Sequence, residues 1–443
     1  MMPKNGSVLV IGAGIAGMKA GLMLAGASKK VHLVEKLPII GGKVIKNEES
    51  FPNMECSTCM VAPVQQEVLQ NSNIETYTYS DVESISGSKG HYEVVIRRKA
   101  RYISLVNCIG CGMCFDPCPV SIKNFWEENL MDMKAVYIPT AGSLPNVPVI
   151  DSTHCLHLNG TQECNLCVES CVFDAIDLND KDEVITVEVE AILIATGSDV
   201  FDLSLLPDLG YGKLSAVYSP LEFERLFASN GPTQGELTLR GTDVSPKRIA
   251  IIHCAGRKDV GYCSTVCCMY SFKFVRFLLH KLPDAEIFNI YLDLCVPGKS
   301  YQEFFTTLGE KSTKMLFTPS IDDVKVTEGD SALNVSYPDA SGETAELMVD
   351  MVILAAAMVP DPSLGDLAET AGIELDNHGF VKRTEKDTGS METSKEGIFV
   401  AGSAQGPMDI QKSVIQAEAA AGQIMKIMSD SAVEPDNESA LGS

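Results

Sequence analysis

The chain has 443 residues, 45% of them apolar and 21% charged, too much apolar surface for a disordered polymer and an ordinary balance for a globular one. Asp and Glu number 59 against 35 Lys and Arg, a formal net charge of −24, which sets the surface against nucleic acid and anionic lipid as partners. At roughly 100–200 residues per domain, the length predicts two or three domains.

In chain order, Ser7 to Ile11 is a short unbroken apolar run, the pattern of a buried parallel strand. Gly12, Gly14 and Gly17 follow in G-x-G-x-x-G spacing, then a helical stretch from Met18 to Ala27 and a second strand, Val31 to Val34, ending in Glu35. Gly12 permits the tight turn, Gly14 lets the backbone approach a pyrophosphate at the helix N-terminus, and Gly17 lets helix and strand pack closely. Glu35, with Lys36 beside it, lies 18 residues past Gly17 and is placed to accept ribose hydroxyls. The Gly-rich stretch contains Lys19 and does not read as a membrane span; its glycines and the lack of an A-x-A site argue against a signal peptide. The reducing cytoplasm is therefore the expected compartment, and clustered cysteines there suggest metal rather than disulfides.

Gly41-Gly42-Lys43 resembles the second glycine signature of flavoproteins with two dinucleotide-binding domains, which implies FAD rather than NAD in the first site. Ala191 to Gly197 looks like the strand by which such a chain re-enters its FAD domain. A late strand ending in Gly402, followed by Asp409 and a helix from Ile410 to Met428, is similar to the element that binds the flavin end. Asp409 is placed for a ribityl hydroxyl there, or for a helix cap.

Between these pieces lies Cys108-x2-Cys111-x2-Cys114-x3-Cys118-Pro119, the bacterial ferredoxin run, whose fourth cysteine ligates the other of two clusters. The partner run is Cys155-x8-Cys164-x2-Cys167-x3-Cys171, with a longer first spacing and Val172 where proline is usual. Crossing over predicts one [4Fe–4S] cluster on Cys108, Cys111, Cys114 and Cys171, and a second on Cys155, Cys164, Cys167 and Cys118. A zinc knuckle using some of these thiols is the competing reading. Phe173 to Ile176 is similar to the strand that closes a ferredoxin half.

A second dinucleotide domain is expected to begin near Pro246, and Arg248 to His253 reads as its first strand. The glycine fingerprint does not follow; Cys254-Ala255-Gly256 stands in its place, so NAD(P)H is not expected to bind there. Cys254, Cys263, Cys267 and Cys268 fall within fifteen residues before a helix from Met269 to Leu282, and suit a third [4Fe–4S] cluster or a redox dithiol pair. Cys295 stands alone and reads as a core residue.

The chain resembles the family of A-type subunits of heterodisulfide reductase. The resemblance rests on Phe51-Pro52 with Cys56-Ser57-Thr58-Cys59-Met60, Arg98 to Tyr102 before the ferredoxin run, Tyr262-Cys263-Ser264 with Cys267-Cys268-Met269-Tyr270, and Ala401-Gly402 with Ala404-Gln405-Gly406-Pro407 and Asp409-Ile410. It implies an α/β, thioredoxin-reductase-like flavoprotein with two dinucleotide-binding domains and an inserted α+β bacterial-type two-cluster ferredoxin. The expected boundaries are 1–97, 183–245 and 385–430 for the FAD domain, 98–182 for the insert, 246–384 for the degenerate NAD(P)-type domain and 431–443 for a tail. It implies FAD and three [4Fe–4S] clusters, electron transfer in a heterodisulfide-reductase-like complex, and Lys273, five residues after Cys268, beside flavin N5. The implied partners are B- and C-type iron–sulfur subunits and an electron-input subunit, with a homodimer also open. Longer members carry outer cluster domains; by the resemblance these are expected here to be either absent or supplied by a partner. Cys56 and Cys59 remain as flavin contacts, as a substitute ligand for Cys254, or as two thiols in a turn. A stand-alone NAD(P)H oxidoreductase of the glutamate-synthase small-subunit kind and a non-catalytic iron–sulfur scaffold are the rival readings.

Overall fold

The computed structural model describes residues 6–308, 313–384 and 389–431. The expected tail beyond 431 and the start of the 385–430 segment fall outside the described residues. The chain forms two compact units, one of residues 1–44, 61–198 and 360–443, the other of 45–60 and 199–359.

In the first unit the apolar run Ser7–Ile11 is the central strand of a five-stranded parallel sheet. Lys30–Glu35 and Ile74–Thr78 lie to one side, Ala191–Ile194 and Ile398–Val400 to the other. Both faces of this sheet are covered, so its strands carry unbroken apolar residues rather than an alternation. A three-stranded antiparallel sheet, Ser80–Ser88, His91–Arg98 and Glu183–Val189, packs into the same core through Tyr92, Val94, Ile96 and Val187.

The pairing Arg98↔Glu183 closes that small sheet, so residues 99–182 leave and return at adjacent points of one antiparallel ladder. The insertion thus replaces a single hairpin loop and leaves the register undisturbed. Arg101 roots it. Its guanidinium donates to Pro38 O at 2.6 Å, Val147 O at 2.7 Å and Thr78 Oγ1 at 3.1 Å, and burial lowers its pKa to about 10. The insert has its own small core of Ile103, Val136, Val147, Ile150 and Ala175. It is poorer in regular structure than expected. Cys118, flanked by Pro117 and Pro119, lies in irregular backbone. Leu166–Glu169 is a single helical turn, and Phe173 to Ile176 supplies one bridge, Ile103↔Ile176, in place of a strand.

The second unit repeats the plan. Arg248–Ala255 is the central strand, with Glu286–Tyr291 and Lys314–Phe317 on one side and Met351–Ala356 and Val217–Tyr218 on the other, all parallel. An antiparallel meander of Lys325–Glu328, Leu333–Pro338 and Thr344–Val349 accompanies it. Residues 199–245 belong to this unit rather than to the flavin segment expected at 183–245, because Leu203, Leu209 and Val217 pack into its core. Residues 360–384 belong to the first unit rather than to 246–384, since Leu364, Ala368 and Ile373 pack there. Residues 45–60 also join the second unit. Arg225 donates to Lys46 O at 2.9 Å, Glu48 N donates to Glu224 Oε1 at 2.8 Å, and Lys273 Nζ donates to Glu49 O at 3.0 Å.

Candidate dinucleotide and cluster sites

The glycine turn of the first unit has the shape its sequence predicts. Gly12 has φ +101°, and a Cβ there would lie 2.5 Å from Ala195 O. A Cβ on Gly17 would lie 1.9 Å from Gly12 O, so only glycine lets the helix Ile15–Gly26 approach the strand. Gly14 differs. It caps that helix with extended backbone, and its Cβ would meet only Gly42 Cα, at 3.9 Å. The space in front of Gly14 is therefore open on the chain's own account, which is what a pyrophosphate on a helix N-terminus requires.

Glu35 is buried, and both carboxylate oxygens are engaged: Ala13 N donates to Oε2 at 2.8 Å and Leu37 N to Oε1 at 2.9 Å. Burial raises its pKa, against the lowering effect of those two backbone donors. The carboxylate therefore shapes the glycine turn itself, and it keeps unused lone pairs for hydroxyl donors. Lys36 is held by Asp361, at 2.9 Å to each carboxylate oxygen, and Lys43 Nζ donates to Ser198 O at 2.6 Å. Gly197 and Gly402 both take left-handed backbone, with φ of +85° and +71°. Between the strand Ala191–Ile194 and Gly197, the Thr196 hydroxyl is buried with no partner in the chain. That orphan donor and the open Gly14 cradle fit a bound dinucleotide. Asp409 is buried and caps the helix Ile410–Ser431 by accepting from Lys412 N at 2.7 Å.

The structure brings most of the cysteines together in groups. Among the described residues, no three Cys, His, Asp or Glu side chains converge as a site for a single metal ion; thiols stand instead around two pockets. One is lined by Cys108, Cys111, Cys114 and Cys171, together with Ile103 and Pro148. Cys171 reaches it from the second run, as crossing over requires. For the other set, burial pushes Cys167 up to about 11, and the neighbouring sulfurs that add to the shift are Cys155, Cys118 and Cys164. Burial likewise pushes Cys114 up to about 12. Gly110 N donates to Cys108 Sγ and Ala175 N to Cys171 Sγ, each at 3.4 Å, bonds of the kind that favour thiolate and tune a cluster's potential. A four-thiol donor set of this kind suits an iron–sulfur cube.

The second pocket belongs to the second unit. Cys254, Cys263, Cys267 and Cys268 line it, and so does Cys295, with Arg257 and Asp293. Cys295 is thus no core residue; it is half-buried, and its N–H donates to Cys268 Sγ at 3.4 Å. The other residues of the Tyr262–Tyr270 block act as hooks. Tyr262 donates to Met358 O at 2.7 Å, Met358 N donates to Ser264 Oγ at 2.8 Å, and Tyr270 donates to Ala356 O at 2.9 Å. They pin the loop to the end of the strand Met351–Ala356, and the helix opens at Cys267, running to Lys281. Burial pushes Cys267 and Cys268 each up to about 12, so binding a cluster there releases protons.

The turn after the central strand of this unit is built differently from the glycine turn of the first. The central strand bulges between Ile252 and Ala255, Cys254 takes φ +58°, and a Cβ on Gly256 would lie 2.6 Å from the Phe201 ring. The Phe201 ring stands against Gly256, four cysteines run from the strand's end to the helix's start, and Cys295 joins them from beyond the next strand. Lys273 is buried, its ammonium 2.6 Å from Glu224 Oε2. Cys56 and Cys59 are exposed and joined to each other as a disulfide; neither lines the pocket of Cys254.

Residues 10–62 match the NAD(P)-binding Rossmann-like domain family. The chain is 36% identical over 434 residues to the A-type subunit of the H2:CoB-CoM heterodisulfide, ferredoxin reductase of Methanothermobacter marburgensis, covering 96% of this chain and 65% of that protein. It is 33% identical over 463 residues to a protein of Archaeoglobus profundus that is like the heterodisulfide reductase A-type subunits, covering 95% of this chain and 66% of that one. The chain thus spans about two-thirds of the length of these relatives. Among solved structures, Lactococcus lactis thioredoxin reductase superposes with a TM-score of 0.53 at 14% identity, over 96% of this chain and 99% of that one. The T. acidophilum thioredoxin reductase superposes with 0.51 at 15% identity, over 96% and 98%. That likeness shows the fold: a thioredoxin-reductase-like α/β architecture with two dinucleotide-type domains. No helix among the described residues is long and apolar enough to cross a membrane.

Proposed function

The chain belongs to the family of heterodisulfide reductase A-type subunits, and from that premise we propose that it is the FAD and iron–sulfur electron-transfer component of a heterodisulfide-reductase-like oxidoreductase complex. The observation that carries the reading is the gathering of Cys108, Cys111, Cys114 and Cys171 around one pocket from two separate runs. Zinc knuckles close on local ligands and would not need that crossing. Bound FAD would supply the exchange between two-electron and one-electron chemistry.

The chain's own residues hold and separate these groups. Gly12, Gly14, Gly17, Gly42, Gly197 and Gly402 shape the dinucleotide cradle, Glu35 fixes its turn, and Asp409 and Ile410 open the helix at its far end. Twelve thiols, in three sets of four, would each give a cube one sulfur per iron. Backbone donors such as Ala175 N set the charge the sulfurs carry. The resemblance assigns Lys273 to the flavin's electronics, and partner subunits to the entry and exit of electrons. Bifurcation is the finer form of the same proposal. The reading places no NAD(P)H in the second unit, where Phe201 packs on Gly256.

The test is anaerobic purification with iron, sulfide and flavin assays. One FAD and about twelve iron atoms per chain are expected, from three four-iron cubes. About four iron atoms would undo the crossed assignment. Rapid bleaching of the flavin by NADH or NADPH would favour the stand-alone reductase instead.

A further inference from the structure

We infer that Cys295 is an alternative cluster ligand, exchangeable with Cys254 at one corner of the third cluster site. The inference rests on the cluster reading above and concerns only this chain's own thiols. A four-iron cube takes four protein thiolates, yet five cysteines line this pocket.

Three of the five are fixed by their setting. Cys263, Cys267 and Cys268 lie in one block that Tyr262, Ser264 and Tyr270 hook onto residues 356–358. The other two come from neighbouring strands. Cys254 is the penultimate residue of Arg248–Ala255, and Cys295 lies four residues beyond Glu286–Tyr291. Those strands are paired in parallel from Arg248↔Glu286 to Ile252↔Ile290, so their C-terminal ends open on the same edge of the sheet. That edge is where α/β sheets present their functional groups.

A single ion pair joins the two candidates. Arg257 Nη1 lies 2.6 Å from Asp293 Oδ1, in the loop that carries Cys295, and 3.7 Å from Cys254 Sγ. The Cys295 backbone already bonds to the sulfur of Cys268, so its side chain leaves the backbone at the rim of the ligand set. Cys254 holds left-handed backbone, which a non-glycine residue adopts at a cost. Exchange there is redox-neutral: one iron–thiolate bond breaks at Cys254, one forms at Cys295, and the incoming thiol's proton passes to the outgoing thiolate. The result is a cube whose fourth corner can change hands without losing an iron.

The experiment compares wild type, Cys254→Ala, Cys295→Ala and the double variant, reconstituted anaerobically. Its readouts are iron and sulfide per chain and the EPR spectrum of the reduced protein. Wild type and both single variants should each hold about twelve iron atoms, with an EPR shift confined to one cluster, and the double variant should fall to about eight. If either single variant falls to about eight while wild type holds about twelve, the thiols are not interchangeable and the inference fails. It fails too if the double variant keeps about twelve. A wild type at about eight would instead remove the third cluster, and with it the underlying reading. Unchanged EPR signals of the insert's two clusters serve as the control that each variant is folded.

Discussion

In the first unit the central strand Ser7–Ile11 passes through Gly12 straight into the helix Ile15–Gly26. In the second, the matching strand Arg248–Ala255 bulges at its end, a four-residue helical turn intervenes, and the long helix waits until Cys267. Both sheets have five parallel strands and a central strand flanked on both sides, but they differ at one edge, where Val217–Tyr218 precedes the central strand of the second sheet and Ile398–Val400 comes last in the first. One scaffold therefore carries two chemistries, and the strand-to-helix turn decides which. Glycines that remove side chains leave room for a phosphate backbone. Cysteines that add them turn the same edge into a thiol pocket.

The largest effect that can break this comparison is at Gly14. A valine there has room within the chain, since its Cβ would meet only Gly42 Cα at 3.9 Å and the backbone is extended. Its branches fill the pyrophosphate's place. Gly14→Val should purify folded with its insert clusters intact and with FAD content near zero. Full flavin content, measured by absorbance after denaturation, would show that the cradle is not where FAD binds.

A smaller effect is expected at Lys273. Removing one partner of a buried ion pair strands the other, at about 3–5 kcal/mol. Lys273→Ala leaves Glu224, itself 2% exposed, without its cation and frees the Glu49 carbonyl. The helix Cys267–Lys281 and residues 45–60 should both lose protection in hydrogen exchange, while the first unit's parallel sheet keeps its own. Glu224→Gln combined with Lys273→Met should recover part of the loss, because no charge is left stranded. If the flavin assignment also holds, Lys273→Ala lowers the flavin's two-electron potential and Lys273→Arg restores only part of it. Equal potentials in all three proteins would leave Lys273 a purely structural partner of Glu224.

Much of this is legible in the sequence, and the rest is hidden for identifiable reasons. Gly12, Gly17 and the Cys108–Cys118 run announce themselves because their chemistry is local: a turn and a helix start, or a short loop, fix the geometry. Cys295 looks like a core residue because its place depends on strand register, which brings it beside Cys268 from 27 residues away. Glu224 and Arg225 belong to no sequence motif, yet both are buried and hold residues 46–49. The departure of residues 45–60 into the second unit follows from those contacts and from no local pattern. In the insert, the ligand spacing is readable, but Phe173 to Ile176 makes only the bridge Ile103↔Ile176 where the pattern implies a strand.

Gly256 sharpens the comparison from the other side. Its φ of +80° disfavours any side chain, and a Cβ would strike the Phe201 ring. Gly256→Ala should cost about 1–3 kcal/mol through strain and overpacking and leave FAD content unchanged. Thermal melting followed by cluster absorbance would register it. A loss of flavin on Gly256→Ala would mean that the second turn still takes part in nucleotide binding.

The smallest expected effect separates two roles at one residue of the first unit. Asp409 accepts from Lys412 N at 2.7 Å and so caps the helix Ile410–Ser431; its proposed second role is a hydrogen bond to a ribityl hydroxyl. Asparagine is as good a cap as aspartate, while alanine is not, and losing a cap costs about 1 kcal/mol. Asp409→Asn should therefore keep the helix intact and Asp409→Ala should loosen it slightly. The flavin responds to a different property. A carboxylate can only accept, and an ionised acceptor bonds a hydroxyl more strongly than an amide does. If Asp409 reaches the flavin end, both variants should weaken FAD retention, Asp409→Asn by several-fold without loss of helix protection. Isothermal titration of the flavin-depleted protein with FAD measures this directly. An Asp409→Asn variant that binds FAD as wild type does would confine the residue to its cap, and the far end of the cradle would then rest on Gly402 and the helix N-terminus alone.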